Sequence, residues 1–282
     1  MHVFIAGAGG PLGKQLIDGF LKRDAQVTAM GYSKQEFAGL YHPRLTTLAC
    51  DVTKPEQVEG VCKGADLVVS CLGITRMRNG MTHMDVDYQG NLNLLRDAEK
   101  QGVRKFAFIT PAGAEHGEVH KVPLLEAKHL FKKELRSSRL EWVIFRSGGF
   151  FSDLAEMGKM AAKGTMVVVG PGTWHFTPVD VRDVARVMVE DSLVKTNTVV
   201  EIGGPEDMSW NEICRACFAH YGRSPRIMHV PVWLCAALLP LLKPFSASGY
   251  ALGKLVVYMS THDLPTEKRG ELRFADYLAA LK

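Results

Sequence analysis

The residues with the clearest chemistry are Gly7-Ala8-Gly9-Gly10-Pro11-Leu12-Gly13. They follow an apolar run ending at Ala6 and open into an amphipathic stretch, the setting in which a glycine triplet cradles a pyrophosphate. One glycine permits the tight turn, one lets the backbone approach the phosphates, and one lets the helix pack close to the sheet. The anion then sits at the helix N-terminus, where unpaired N–H groups and the dipole favour it. All of Gly7, Gly9, Gly10, Pro11, Leu12 and Gly13 are therefore expected to line a dinucleotide.

The adenosine end is read from the close of the second strand, where an acidic residue marks NAD binding. There the chain reads Met30-Gly31-Tyr32-Ser33-Lys34, without a carboxylate. A hydroxyl at Ser33 and an ammonium at Lys34, helped by Lys14 just past the loop, would hold a 2′-phosphate. NADP(H) is the expected cofactor and NAD(H) the alternative; a solvated charge at a helix start is the plainer reading of Lys34.

Two other clusters invite chemistry. Cys214, Cys217 and His220 place three metal-ligand types along one helix without a fourth. With Ile213 and Phe218 beside them, the spacing reads instead as a buried stripe, and no metal site is expected. His116 and His120, near Glu115 and Glu118, fall in a loop expected over the cofactor cleft, with a solvated loop as the plainer reading.

These residues need a scaffold. Strand-like runs at His2 to Ala6, Gln26 to Met30, Leu45 to Ala49, Leu67 to Cys71, Phe106 to Ile109 and Trp142 to Phe145 alternate with helical patterns. The helices fall at Leu12 to Lys22, Pro55 to Cys62, Val86 to Gln101 and Leu124 to Ser137. That alternation predicts an α/β fold, a Rossmann-type doubly wound parallel sheet. Residues 1–150 form the expected NAD(P)-binding domain, with 176–202 returning to its sheet. Residues 151–175 and 203–282 form a smaller substrate lobe; helices are expected after Arg146 at Val181 to Val194, in the returning segment, and at Ser209 to His220, in the lobe.

Composition narrows the function. Of 282 residues, 46% are hydrophobic and 23% charged, an ordinary globular balance. The net charge of +4 is dispersed, leaving no footprint for nucleic acid. Six scattered cysteines suit reduced thiols in a cytoplasmic protein, a monomer or homodimer. The N-terminus reads as a strand rather than a secretory signal. The apolar run Val230 to Leu242 is broken by Pro231 and Pro240 and is too short to span a bilayer. Trp233 to Met259 is expected to be lobe core or an apolar lid. A peripheral membrane element with Lys243 and Lys254 at the headgroups is the third reading.

Together these residues resemble the atypical or extended short-chain dehydrogenases, which include NmrA-like proteins, the complex I 39-kDa subunit group and the divinyl-chlorophyllide reductases. The resemblance rests on Gly7-x-x-Gly10-x-x-Gly13, Asp51-Val52, Cys71-Leu72-Gly73 and Gln101 to Phe106. It continues through Phe176 to Ala185 and Ile202-Gly203-Gly204-Pro205. It implies that Asp51 and Val52 flank the adenine and that Leu72 and Gly73 pass the ribose. Phe145 to Phe150, with Ser147 and Phe150 among them, would line the nicotinamide side.

Active members similar to this chain use a Ser or Thr after the fifth strand and a Tyr four residues before a Lys. Lys128 occupies the lysine position, but Leu124 stands where the tyrosine would be, and the strand ends in Thr110-Pro111. The family's Asn on the fourth helix appears as Asp87. A leucine donates no proton, so two readings stay open. Lys128 could act as acid or ribose anchor in an NADPH-dependent reductase of a hydrophobic molecule, quinone-, enone- or isoprenoid-like. Phe150, Phe151, Trp174 and the region after Trp233 would form its wall, with Thr110 and Tyr88 as reserve proton sources. Alternatively the chain binds NADP(H) as a non-catalytic regulatory or assembly protein.

Overall fold

The computed structural model describes residues 1–74, 77, 80–113 and 119–281. Its first strand, β1 (His2–Ala6), is buried from Val3 onward, as a central parallel strand covered on both faces must be. It runs into α1 (Pro11–Leu21), which buries Leu12, Leu16, Ile17 and Phe20 at helical spacing. The series continues with β2 (Gln26–Gly31), β3 (Leu45–Ala49), α2 (Pro55–Val58) and β4 (Leu67–Ser70). After it come α3 (Asn91–Lys100), β5 (Lys105–Pro111), α4 (Pro123–Ser137) and β6 (Glu141–Ser147).

With β9 (Thr198–Ile202) these strands form a seven-stranded sheet in the order β3-β2-β1-β4-β5-β6-β9. The pairs from β3 through β5 are parallel, with Val3 opposite Val27 on one side and Leu67 on the other. This is the Rossmann-type arrangement expected, and its order reverses beside β1, where such sheets bind ligands.

The chain divides into two compact units: residues 1–110, 124–146 and 184–200, and residues 111–123, 147–183 and 201–282. In the first, the core runs through Phe4, Val68, Leu94, Phe106, Phe108, Phe131 and Ile144. Phe131 meets Phe108 edge-on at 4.7 Å between ring centres, a geometry worth about 0.5–1.5 kcal/mol beyond the area it buries.

In the second unit, α5 (Phe151–Ala162), β7 (Met166–Val169), β8 (His175–Phe176), β10 (Met208–Ser209), α7 (Trp210–His220) and β11 (Ile227–Val230) precede α8 (Val232–Leu242), α9 (Ala247–Met259) and α10 (Phe274–Ala279). A further helix, α6 (Val181–Val194), leads back into the first unit. Ser209 caps α7 by accepting from the Glu212 amide while Glu212 accepts from the Ser209 amide, a capping box.

Several expected elements are corrected. The helix expected over Pro55 to Cys62 stops at Val58 because Gly60 is left-handed (φ 82°) and Asp97 takes the Gly60 and Cys62 amides, at 2.7 and 2.9 Å. The helix expected from Val86 begins as a π-helical turn, Met84–Gly90, before α3. There Gly90 presses on Val52, and the Asn91 side chain donates to the Asp87 carbonyl at 2.9 Å. Within Trp233 to Met259, α8 is not lobe core, since only Leu239 of it is buried, whereas α9 buries Ala251 and Tyr258.

Candidate cofactor site

Each glycine of the turn is fixed by its surroundings. Gly7 is left-handed (φ 78°), and a Cβ there would lie 2.9 Å from the Cys71 carbonyl and the Leu72 nitrogen. Gly13 is buried, and a Cβ there would strike Ala8, so the α1 backbone approaches the β1 end more closely than any side chain allows. Gly10 precedes Pro11 at the start of α1, and the nearest atom to a Cβ would be Gly7 O at 3.6 Å. The first-turn amides of Leu12 and Gly13, which follow it, have no intrahelical acceptor. A diphosphate suits that combination of space and donors. Leu12 itself is buried under the turn, whereas Pro11 and Lys14 are exposed.

At the adenosine end, Ser33 precedes a short 3₁₀ helix, Lys34–Phe37, with Ser33 half-buried and Lys34 exposed. Met30 to Lys34 carry no carboxylate, but one reaches in from just beyond them. Glu36 reaches back so that a Cβ on Gly9 or on Gly31 would collide with its Oε2. Asp51 is spent locally, accepting from the Thr53 amide at 3.0 Å and its hydroxyl at 2.7 Å. Val52 is buried, and its carbonyl accepts from Asn93 Nδ2 at 2.9 Å.

The other end of the first unit's site is built on α4. Leu125, Lys128, Phe131, Lys132 and Leu135 form the buried face of that helix, so the 3.6-residue period carries Lys128 onto the sheet. Its ammonium stands 3.0 Å from Asp87 Oδ1, donates to Leu72 O at 3.1 Å, and lies 5.0 Å from the Phe108 ring centre. The contact with Asp87 Oδ1 is an ion pair without a well-aligned hydrogen bond.

Asp87 is wholly buried; its Oδ2 accepts from the Ile74 amide at 3.3 Å and lies 3.3 Å from His83 Nδ1. Such a buried charge cluster is costly unless every member is partnered. Gly73 is exposed beside it, and a Cβ there would come 3.1 Å from Lys128 Nζ and 2.7 Å from Asp87 Oδ1.

Thr110, at the end of β5, is buried with a hydroxyl that has no hydrogen-bond partner among the described residues. An orphaned buried donor of this kind calls for a bound group. Tyr88 serves less well as a proton source: its hydroxyl donates to Glu134 at 3.3 Å, and desolvation and that carboxylate raise its pKa. Leu124 is half-buried and supplies no donor.

The remaining expected residues fall in the second unit. Ser147 is buried at the end of β6, its carbonyl accepting from Ala112 N at 2.7 Å. Phe150 is half-buried and bridges to Val179. Phe151 is core rather than wall, packed on Phe274 and Tyr277 with ring centres 5.3 and 5.6 Å away. Cys214 and Cys217 are buried, Cys217 against Gly158, while His220 packs edge-on against Tyr221. His120 is exposed in a short 3₁₀ turn, and Glu115, His116 and Glu118 lie outside the described residues.

Sequence reasoning passed over His83 and Glu36. His83 was readable, since His83-x-x-x-Asp87 is the helical spacing that brings two side chains together. Glu36 was not, because its reach depends on how a short 3₁₀ turn folds back over Gly9.

The fold and the glycine turn define a Rossmann-type dinucleotide-binding protein. The family described as NAD(P)H-binding matches residues 7–191, more than half of the chain. The chain belongs to that family. It is 28% identical over 257 residues to the photosystem II assembly factor Ycf39 of Synechocystis, covering 87% of this chain and 74% of that one. It is 26% identical over 298 residues to the chloroplastic divinyl chlorophyllide a 8-vinyl-reductase of Arabidopsis thaliana, covering 94% and 69%.

Among solved structures, a nucleoside-diphosphate-sugar epimerase from Staphylococcus aureus superposes with a TM-score of 0.80 at 14% identity, covering 99% of both chains. An NADPH-dependent quinone oxidoreductase from Escherichia coli, complexed with NADPH, gives 0.75 at 16% identity and the same coverage. At such identities these two establish the fold.

Proposed function

We propose that this chain is an NAD(P)H-dependent reductase of a hydrophobic small molecule, with Lys128 at the reacting end of the cofactor. The observation that carries the reading is the disposition of one ammonium. An ammonium has three donors; those of Lys128 face Asp87, Leu72 O and the bare backbone of Gly73. The third is available to a ribose hydroxyl or to a developing anion on the acceptor.

When bound, the cofactor supplies hydride. The chain's own residues do the rest. The turn from Gly7 to Gly13 and the first amides of α1 hold the diphosphate. Asp87 and Leu72 O fix the ammonium, and the free hydroxyl of Thr110 is a second donor. An apolar acceptor is supported by a cleft in the second unit lined by Leu154, Met157, Met166, Trp210, Cys214 and Val256. The exposed ring of Trp174 adds to this apolar character. The six free cysteines suit a reducing, cytoplasmic setting.

For the adenosine end, Ser33, Lys34 and Lys14 support NADP(H). One observation favours NAD(H) instead: the Glu36 carboxylate against Gly9 and Gly31, where it would accept from ribose hydroxyls and repel a 2′-phosphate. A second reading of the whole protein, an NAD(P)H-binding regulatory or assembly protein without turnover, is favoured by Leu124 in the place of the family tyrosine.

The deciding experiment follows NADPH and NADH oxidation against a panel of quinones and enones, for the native chain and Lys128→Ala. Turnover of an acceptor that Lys128→Ala abolishes while the cofactor still binds supports the reductase. Turnover that survives the substitution removes Lys128 from the chemistry, and cofactor binding without any turnover favours the binding protein.

A further inference from the structure

The second unit carries one surface that neither the glycine turn nor Lys128 explains. Every residue of α8, Val232-Trp-Leu-Cys-Ala-Ala-Leu-Leu-Pro-Leu-Leu242, is apolar, yet only Leu239 is buried. Leu239 packs on Gly253 of α9, where a Cβ would strike its Cδ2; Val232, Leu234 and Cys235 are half-buried, and the other residues of the helix are exposed. Trp233 is 71% exposed, Leu241 64%, and Phe245, just past the helix, 88%. Leu238 and Leu242 join them. A contiguous apolar surface of this kind marks a contact face rather than chance exposure.

Charge selects the occupant. From Val230 to Thr261 there is no Asp or Glu, and the only ionised side chains are Lys243 and Lys254. Both ammonium groups lie against the same ring, Tyr250, at 5.7 and 5.8 Å from its centre. Two cations thus gather on an aromatic at the edge of the apolar surface, the arrangement by which lysines and aromatics sit at headgroup depth over buried apolar side chains. A second copy would bring the same two cations and no carboxylate from this segment to meet them. A helix of 11 residues extends about 16 Å; no helix among the described residues is long and apolar enough to cross a membrane.

We propose that α8 and the turn through Phe245 dock on an anionic lipid surface, with Trp233, Leu241 and Phe245 inserted and Lys243 and Lys254 on the headgroups. The surface holds the protein on the membrane without spanning it, and the proposal does not depend on the chemistry of Lys128.

The test is flotation of the full chain with vesicles of phosphatidylcholine containing one quarter phosphatidylglycerol, beside vesicles of phosphatidylcholine alone. Binding to the anionic vesicles is expected, weakened on the order of tenfold or more by Phe245→Glu, which removes an inserted ring and adds a repelled charge. The pair Lys243→Gln and Lys254→Gln should erase the preference for anionic over neutral vesicles. Because Phe245 is 88% exposed, an unchanged circular dichroism spectrum and melting temperature verify the fold of that variant. Protein that stays in solution with both vesicle types overturns the proposal. So does a dimer in sedimentation velocity that Phe245→Glu splits while vesicles leave the protein unbound, since a second copy would then cover the face.

Discussion

Lys128 Nζ stands 3.0 Å from Asp87 Oδ1, with both side chains withdrawn from solvent. One group comes from the sheet-facing side of α4 and the other from the π-helical turn before α3. Neither charge would survive there alone, because an unpaired ion in a low-dielectric interior costs far more than a pair.

Removing one partner should therefore destabilise the fold more than removing both. Asp87→Ala is expected to cost about 3–5 kcal/mol and Asp87→Ala combined with Lys128→Met distinctly less. Urea unfolding of the two single variants and the double variant measures this. Strictly additive losses would show that the two groups are not coupled.

If the adenosine ribose lies beside Gly9 and Gly31, where Glu36 packs, Glu36 should bias the choice between the two nicotinamide cofactors. Glu36→Gln deletes the charge that a 2′-phosphate would meet and should raise the NADPH-to-NADH affinity ratio about fivefold, about 1 kcal/mol for charges about 4 Å apart in water. Calorimetric titration with each cofactor reads the ratio. An unchanged ratio would place the ribose away from this carboxylate.

Two glycines of one turn should separate folding from binding. Gly13→Ala drives a methyl into Ala8 and should lower the melting temperature. Gly10→Ala meets nothing nearer than 3.6 Å and should fold normally. If the diphosphate sits on the turn as proposed, the added methyl crowds it, and affinity for NADPH should fall on the order of tenfold or more, as for one lost charge-assisted hydrogen bond. Full affinity in Gly10→Ala would put the diphosphate elsewhere.

Burial raises the thiol pKa of Cys50 and Cys217 to about 11 and of Cys71 and Cys214 to about 12, with the Asp51 carboxylate adding to the shift at Cys50. Cys62 is pushed upward as well, by burial first and then by Asp97. The sign follows from proton binding. Above about pH 8.5 the unfolded chain loses thiol protons that the folded chain keeps. Stability should therefore fall as pH rises from there through about 11 to 12. Thermal melts across that range test it, and a flat profile contradicts it. In the native protein at pH 8, a thiol reagent should find Cys235 first, and Cys235→Ser should remove that fast phase.

What was legible in the chain follows from what fixes a residue type. Gly7 and Gly13 were readable because the backbone there admits no side chain, and β1, β4 and β5 because buried parallel strands are apolar on both faces; β3, at the sheet edge, buries none of its residues. Lys128 was placed by its family position, and the period of α4 explains its burial. The π turn escaped because Val86 to Gln101 keeps helical spacing while Gly90 and Asn91 alter the winding. Helix α5 and the short strands β7 and β11 lie where Gly-rich turns blurred the pattern. For α8, apolar residues signalled burial, yet only Leu239 of the helix is buried.

Gly73 has a meaning beyond geometry. The ammonium of Lys128 is walled in by Asp87, Leu72 and the Phe108 ring, and the exposed backbone of Gly73 lies against it. A missing methyl there acts as an aperture, a place where a largely enclosed ammonium meets the outside. Gly73→Ala would act as a shutter, closing that route with a methyl that presses on Asp87 Oδ1 at 2.7 Å.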